Sequence, residues 1–96
     1  MSELRRLTDE EVTAKLVGLP DWRVVDGKLH RSFEFSDFVE AFGFMTQMAL
    51  LAEKLDHHPE WNNLYNRVWI SMHTHDLAGI SELDFELAAA ADRLAS

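Results

Sequence analysis

The chain has 96 residues, 47% of them hydrophobic and 27% charged, which are the proportions of an ordinary globular domain with room for one modest core. Nine Lys and Arg against seventeen Asp and Glu leave a net charge of −8 with no basic stripe, so nucleic acid is not an expected partner. The absence of cysteine excludes disulfides, thiol nucleophiles and thiolate metal sites, and suits a reducing cytosol.

The opening residues, MSELRRLTDE, run into charge rather than an apolar signal core, and no segment reaches the roughly 18 apolar residues of a membrane span. The expectation is a soluble, unprocessed, cytoplasmic protein forming a single domain over residues 1–96. Thr8 followed by Glu11 fits a capping box, and Val12, Leu16 and Leu19 recur at helical spacing, so a first helix should end near Gly18 ahead of Pro20. From Trp22 to Phe35 the pattern is strand-like around Asp26-Gly27, the dipeptide a two-residue type I′ hairpin turn prefers. That turn sets Val24 opposite Leu29 and Trp22 opposite Arg31, with Phe33 and Phe35 continuing the same face.

Ser36, followed by Asp37, reads as the cap of a second helix running to about Lys54. Its apolar residues form two rows, Phe38, Phe42, Met45, Ala49 and Ala52 beside Ala41, Phe44, Met48, Leu51 and Leu55. This arc is wider than one sheet face covers, which predicts burial by a second subunit in a homodimer or homotetramer. Trp61 to Tyr65 and Val68 to Thr74 read as a second strand pair turning near Asn66, with Val68, Ile70 and Met72 alternating against Trp69, Ser71 and His73. After Gly79, Ser81 begins a last helix whose buried stripe is Leu83, Leu87, Ala90, Ala91 and Leu94. The order α-β-β-α-β-β-α predicts an α+β fold, a four-stranded antiparallel sheet with three helices on one face.

Four of the five histidines, His57, His58, His73 and His75, fall within nineteen residues. Imidazole gives or takes a proton near neutrality, so this cluster is the candidate centre of acid–base chemistry. Glu53 precedes His57 by one helical turn and can orient it if the helix persists that far, while Pro59 disfavours helix at His58 and stiffens the corner. His73 and His75 share one side of an extended chain, so two helix-end and two strand-end imidazoles can converge on one pocket. His30 is expected to be an ordinary surface histidine, Trp22, Trp61 and Trp69 core or interface, and Asp84 an N3 residue stabilising the last helix start.

The stretch EKLDHHPEW, followed by Tyr65, the THD of Thr74 to Asp76, and Asp84, resembles the signature of the pterin-4a-carbinolamine dehydratases. The run AFGFMTQMALLAEKLDHHPEWNNLYNRVW is similar to that family almost without a break, and length and element order agree. His73 departs from it, since the family often carries a small hydroxyl residue there. The resemblance implies elimination of water from a 4a-hydroxytetrahydropterin to give quinonoid dihydropterin, recycling the cosubstrate of aromatic amino acid hydroxylases. Pterin is then the substrate, with no cofactor and no metal. His57 and His75 become the acid–base pair, His57 the better candidate for the acid because Asp56, Glu53 and Glu60 lie nearby, and His58 mainly holds the pterin. Asp56, Pro59, His73, Thr74 and Asp76 join the three histidines in lining it, with Glu53, Tyr65 and Asp84 in support.

Two other classes stand beside this one. His73 and His75 with His57 or His58 would make the three-imidazole ligand set of an open zinc site. A binding module is the other, because mammalian members of the family also act as a dimerisation cofactor for a homeodomain transcription factor; no residue here identifies such a regulatory partner.

Overall fold

Asp26 and Gly27 take φ of 52° and 76°, the paired positive values that a type I′ turn demands. Strand β1 (Arg23–Val25) therefore folds back on β2 (Lys28–Glu34) with Val24 opposite Leu29. The computed structural model describes residues 4–96 and continues with α2 (Phe38–Leu55), β3 (Glu60–Leu64), β4 (Arg67–Met72), a 3₁₀ turn (His75–Leu77) and α3 (Glu82–Ala95), all preceded by α1 (Asp9–Leu16). The four strands are antiparallel in the order β1-β2-β4-β3, and the element order is the one expected from the sequence.

Register explains the core. Leu29, Phe33, Val68, Ile70 and Met72 share one face, because Leu29 pairs with Met72 and Phe33 with Val68. Onto this face pack Ala41, Phe44, Met48 and Ala52 of α2, Phe85, Leu87, Ala88 and Ala91 of α3, and Val12 of α1. The Phe44 ring lies 4.9 Å from Phe33 and 5.0 Å from Phe35, distances at which offset aromatic contacts add to area burial. The Thr8–Glu11 capping box forms on α1, and Arg5, reinforced by the Thr8 amide, holds the Glu11 carboxyl down to about 2. Among the described residues no helix is long and apolar enough to cross a membrane.

Three expectations shift, and the wide apolar arc of α2 divides. Trp22 lies before β1 instead of pairing with Arg31 in the ladder; it is buried against Phe33, and its Nε1 donates to Asp92 Oδ1 at 2.8 Å. Arg31 shares that oxygen at 2.5 Å, so one carboxylate of α3 draws both side chains inward. Asp37, not Ser36, caps α2: its Oδ1 accepts the Glu40 amide at 2.8 Å, where a carboxylate also meets the positive end of the helix dipole. Ser36 donates instead to the Glu40 carboxylate. Of the two apolar rows on α2, the one containing Ala41, Phe44 and Met48 is buried, while Phe38 and Phe42 of the other are exposed. Finally, β4 ends at Met72 rather than Thr74, which keeps only an isolated bridge to Gly79.

Gly27 has open space where a Cβ would stand, so its left-handed backbone is the whole constraint. Gly27→Ala should cost about 1 kcal/mol of stability without altering the native structure, measured by urea unfolding.

Candidate active site

Helix α2 stops one residue before the paired histidines begin to diverge. Asp56 takes the left-handed conformation (φ 51°, ψ 44°), and the His57 amide returns to the Ala52 carbonyl at 3.0 Å. This reversal buries His57 and leaves His58 exposed. On the other side of the site, Thr74 closes a tight loop onto Gly79 through a 2.7 Å backbone bond, with the 3₁₀ turn inside it.

Asp84 joins these two corners. It stands at N3 of α3, is fully buried, and its Oδ2 accepts from the Ser81 amide and from Thr74 Oγ1, each at 2.9 Å. Its Oδ1 faces His57 Nε2 at 2.5 Å. A carboxylate oxygen accepts, so Nε2 donates; this tautomer, assigned from the hydrogen bonding, leaves Nδ1 as the free nitrogen of the ring. Because the Thr74 proton is directed at Asp84, Ser81 Oγ donates to Thr74 Oγ1. Among the described residues no fully buried side-chain nitrogen or oxygen lacks a hydrogen-bond partner.

The expected residues divide as follows. His57, Thr74 and Asp84 are in direct contact. His73 and His75 flank Thr74, their rings 5.9 Å apart and nearly perpendicular. His75 and Asp76 sit on the exposed 3₁₀ turn, so the two strand-end imidazoles do not share an extended segment. Asp56 forms the reversal and Pro59 follows it, half-buried. Glu53 does not reach His57: the helix ends too soon, and Glu53 Oε1 meets His58 Nε2 at 2.8 Å. Glu60 is paired with Lys28, and the carboxylate that His57 contacts is Asp84, which is none of the three expected beside it. Tyr65 (φ 51°) lies in the β3–β4 turn, at the other end of the hairpin from the histidines, and is exposed. Among the described residues, no three His, Asp or Glu side chains gather as metal ligands, so the three-imidazole set is not assembled.

Ser81 is the contributor that sequence reading assigned only to a helix start. Its signal was present, since Ser81 and Asp84 bracket the first turn of a helix whose Asp84, Leu87, Ala88 and Ala91 share a buried stripe; an acid in such a stripe needs partners. A cavity of about 380 Å³ opens nearby between Arg6, Val12, Val24, Ala78 and Ile80, but no histidine lines it.

On this α+β fold a buried aspartate links His57, at the end of α2, to Thr74, which stands between His73 and His75. The sequence model of the family described as pterin 4 alpha carbinolamine dehydratase matches residues 5–94, and the chain belongs to that family. It is 52% identical over 91 residues to a protein of Solibacter usitatus, covering 95% of this chain and 96% of that one. It is 50% identical over 93 residues to one of Burkholderia vietnamiensis, covering 95% and 91%. Both carry the provisional name pterin-4-alpha-carbinolamine dehydratase. Among solved structures, a transcriptional coactivator/pterin dehydratase from Brucella melitensis superposes with a TM-score of 0.92 at 50% identity, covering 96% of this chain and all (100%) of that one.

Asp84→Ala should cost about 3 kcal/mol in chemical denaturation, because it strands the His57 ring, the Thr74 hydroxyl and the Ser81 amide together. Asp84→Asn, which keeps an acceptor in place, should cost clearly less.

Proposed function

We propose that the chain dehydrates a 4a-hydroxytetrahydropterin to quinonoid dihydropterin and water by histidine acid–base catalysis, and so recycles a tetrahydropterin cosubstrate. The observation that carries this reading is the His57–Asp84 contact, a buried imidazole fixed in orientation by a carboxylate beside the loop that bears His75. In the reaction the C4a–O bond breaks, its electron pair leaves with the oxygen, and a proton from the acid completes water. The N5 lone pair forms the N5=C4a double bond, and the N5 proton passes to the base.

His57 suits the acid, since Asp84 orients the ring and balances charge on it while a proton moves. His75, on the exposed turn, is the base, and His58 with its Glu53 partner holds the pterin. His73, Thr74 and Asp76, with Asp56 and Pro59 opposite, line the flat heterocycle. The steps consume no electron carrier and form no covalent intermediate, so pterin is substrate and no cofactor or metal is assigned. The cysteine-free chain fits a cytoplasmic setting.

His57→Ala and His75→Ala should each lower kcat by about 10² to 10⁴, whereas His58→Ala should act mainly on KM. The measurement is stopped-flow dehydration of freshly generated 4a-hydroxytetrahydropterin in excess of its spontaneous loss. Wild-type activity in all three variants would refute the assignment.

The exposed apolar side chains of α2 support self-association into a homodimer or homotetramer. Val39 is 78%, Phe42 55% and Leu50 69% exposed, an apolar surface of the kind a second copy covers. Phe42→Glu should reduce the particle mass to that of one chain in light scattering, and a monomeric wild type at micromolar concentration would refute the oligomer. A regulatory protein partner on the same face is a second reading, supported by the coactivator description of the Brucella structure. Loss of dehydratase activity in a His57 variant with partner binding intact would separate that role from catalysis.

A further inference from the structure

On the sheet face turned away from the helices, Ser71 is flanked by His30 on β2 and Glu60 on β3. Two residues further along that face stand Lys28 on β2 and, just past the end of β4, His73. Lys28 stands opposite Val25 of β1 in the ladder, but its side chain turns toward the β3 side of the sheet. Its Nζ reaches across β4 to both carboxylate oxygens of Glu60, at 2.9 and 2.8 Å. The ion pair therefore spans the outer surface of β4 between Ser71 and His73, at the root of the loop that carries His75. The His75 ring meets His73 edge-on at 5.9 Å. His30 is engaged separately, its Nδ1 2.9 Å from Ser71 Oγ.

We propose that the Lys28–Glu60 bridge is a positioning device for the active site: it backs His73, and His73 in turn sets the orientation of His75. The inference rests on the acid–base reading of His75 and extends it to three residues that the family pattern leaves unassigned or, at His73, departs from. The electrostatics agree with the geometry. The Glu60 carboxyl is held below the usual carboxylate range chiefly by its hydrogen bonds and charge contact with Lys28, and the charge of His73 adds to the effect. As an exposed ion pair the bridge contributes little to folding, so its removal leaves the fold in place and its consequence is read at the site. A clasp serving only to hold β2 to β3 would behave differently, since its loss would act on stability whatever stands at position 73.

The test is a double-mutant cycle with a spectroscopic arm. Glu60→Gln and Lys28→Met should each lower kcat/KM for the dehydration about threefold to tenfold, the range of coupling between contacting neighbours. In a His73→Ser background the same substitutions should change it by less than about twofold, because the residue through which they act is gone. Lys28→Arg, which keeps the charge, should restore most of the activity. Independently of turnover, Glu60→Gln should displace the His73 and His75 ring resonances in ¹⁵N–¹H correlation spectra. Equal losses in both backgrounds, or ring resonances that do not move, would overturn the proposal. A wild type that fails to accelerate dehydration would refute the function while the ring resonances still decide the bridge.

Discussion

A single buried carboxylate organises the molecule's chemistry. Taking Asp84 out of water costs several kcal/mol unless its oxygens are occupied, and here they are met by a helix amide, a hydroxyl and an imidazole. Those donors come from three different segments, the start of α3, the loop after β4 and, 27 residues away, the corner after α2. The same interaction that makes the burial tolerable therefore sets the relative placement of the histidine-bearing segments. Stability and site geometry are coupled through it: the site cannot loosen without leaving polar groups unpaired in the core.

What could be read from the chain follows from how local each determinant is. Asp26-Gly27 fixes a two-residue turn by its own backbone preferences, and the alternation of Val68, Ile70 and Met72 fixes which face of β4 is buried; both were legible. The end of α2 near Lys54 was legible as well, but the i,i+4 pairing of Glu53 with His57 was not met, because it presupposed a helix continuing to His57 and the chain instead reverses at Asp56. Trp22 left its expected place in the ladder for the same reason that His57 found Asp84: the deciding partner is distant, 70 residues away for Trp22 and 27 for His57. Family resemblance implied His57, Thr74 and Asp84 as members of the candidate site. It carried no information that they touch.

The two faces of the sheet have different duties. One face, with α2 and α3, supplies the apolar burial that holds the fold. The other carries polar pairs, His30 with Ser71 and Lys28 with Glu60, whose worth as stabilising contacts is small. For the Lys28–Glu60 pair the proposed value lies in orientation, because both residues open their strands beside the loop that carries His75. Helix α2 shows the same division along its length, with one row committed to the core and its neighbour left to another surface.

Both segments that present histidines contain a non-glycine residue in the left-handed region, Asp56 at φ 51° and Ala78 at φ 49°. Each conformation costs on the order of 1 kcal/mol, and Ala78 has no polar side chain to offset it. Moving the glycine one position earlier would relieve Ala78 but place a side chain at Gly79, where a Cβ would lie 2.6 Å from the Arg6 guanidinium nitrogen. A side chain at position 79 would thus have to push the exposed Arg6 side chain aside, while the present sequence carries its strain at the preceding residue. Thr74 is what makes that strain tolerable: its backbone closes the loop on Gly79 while its hydroxyl is fastened to Asp84. The bend that carries His75 is thus held by the same carboxylate that orients His57, and the geometry of one imidazole cannot change without consequence for the other.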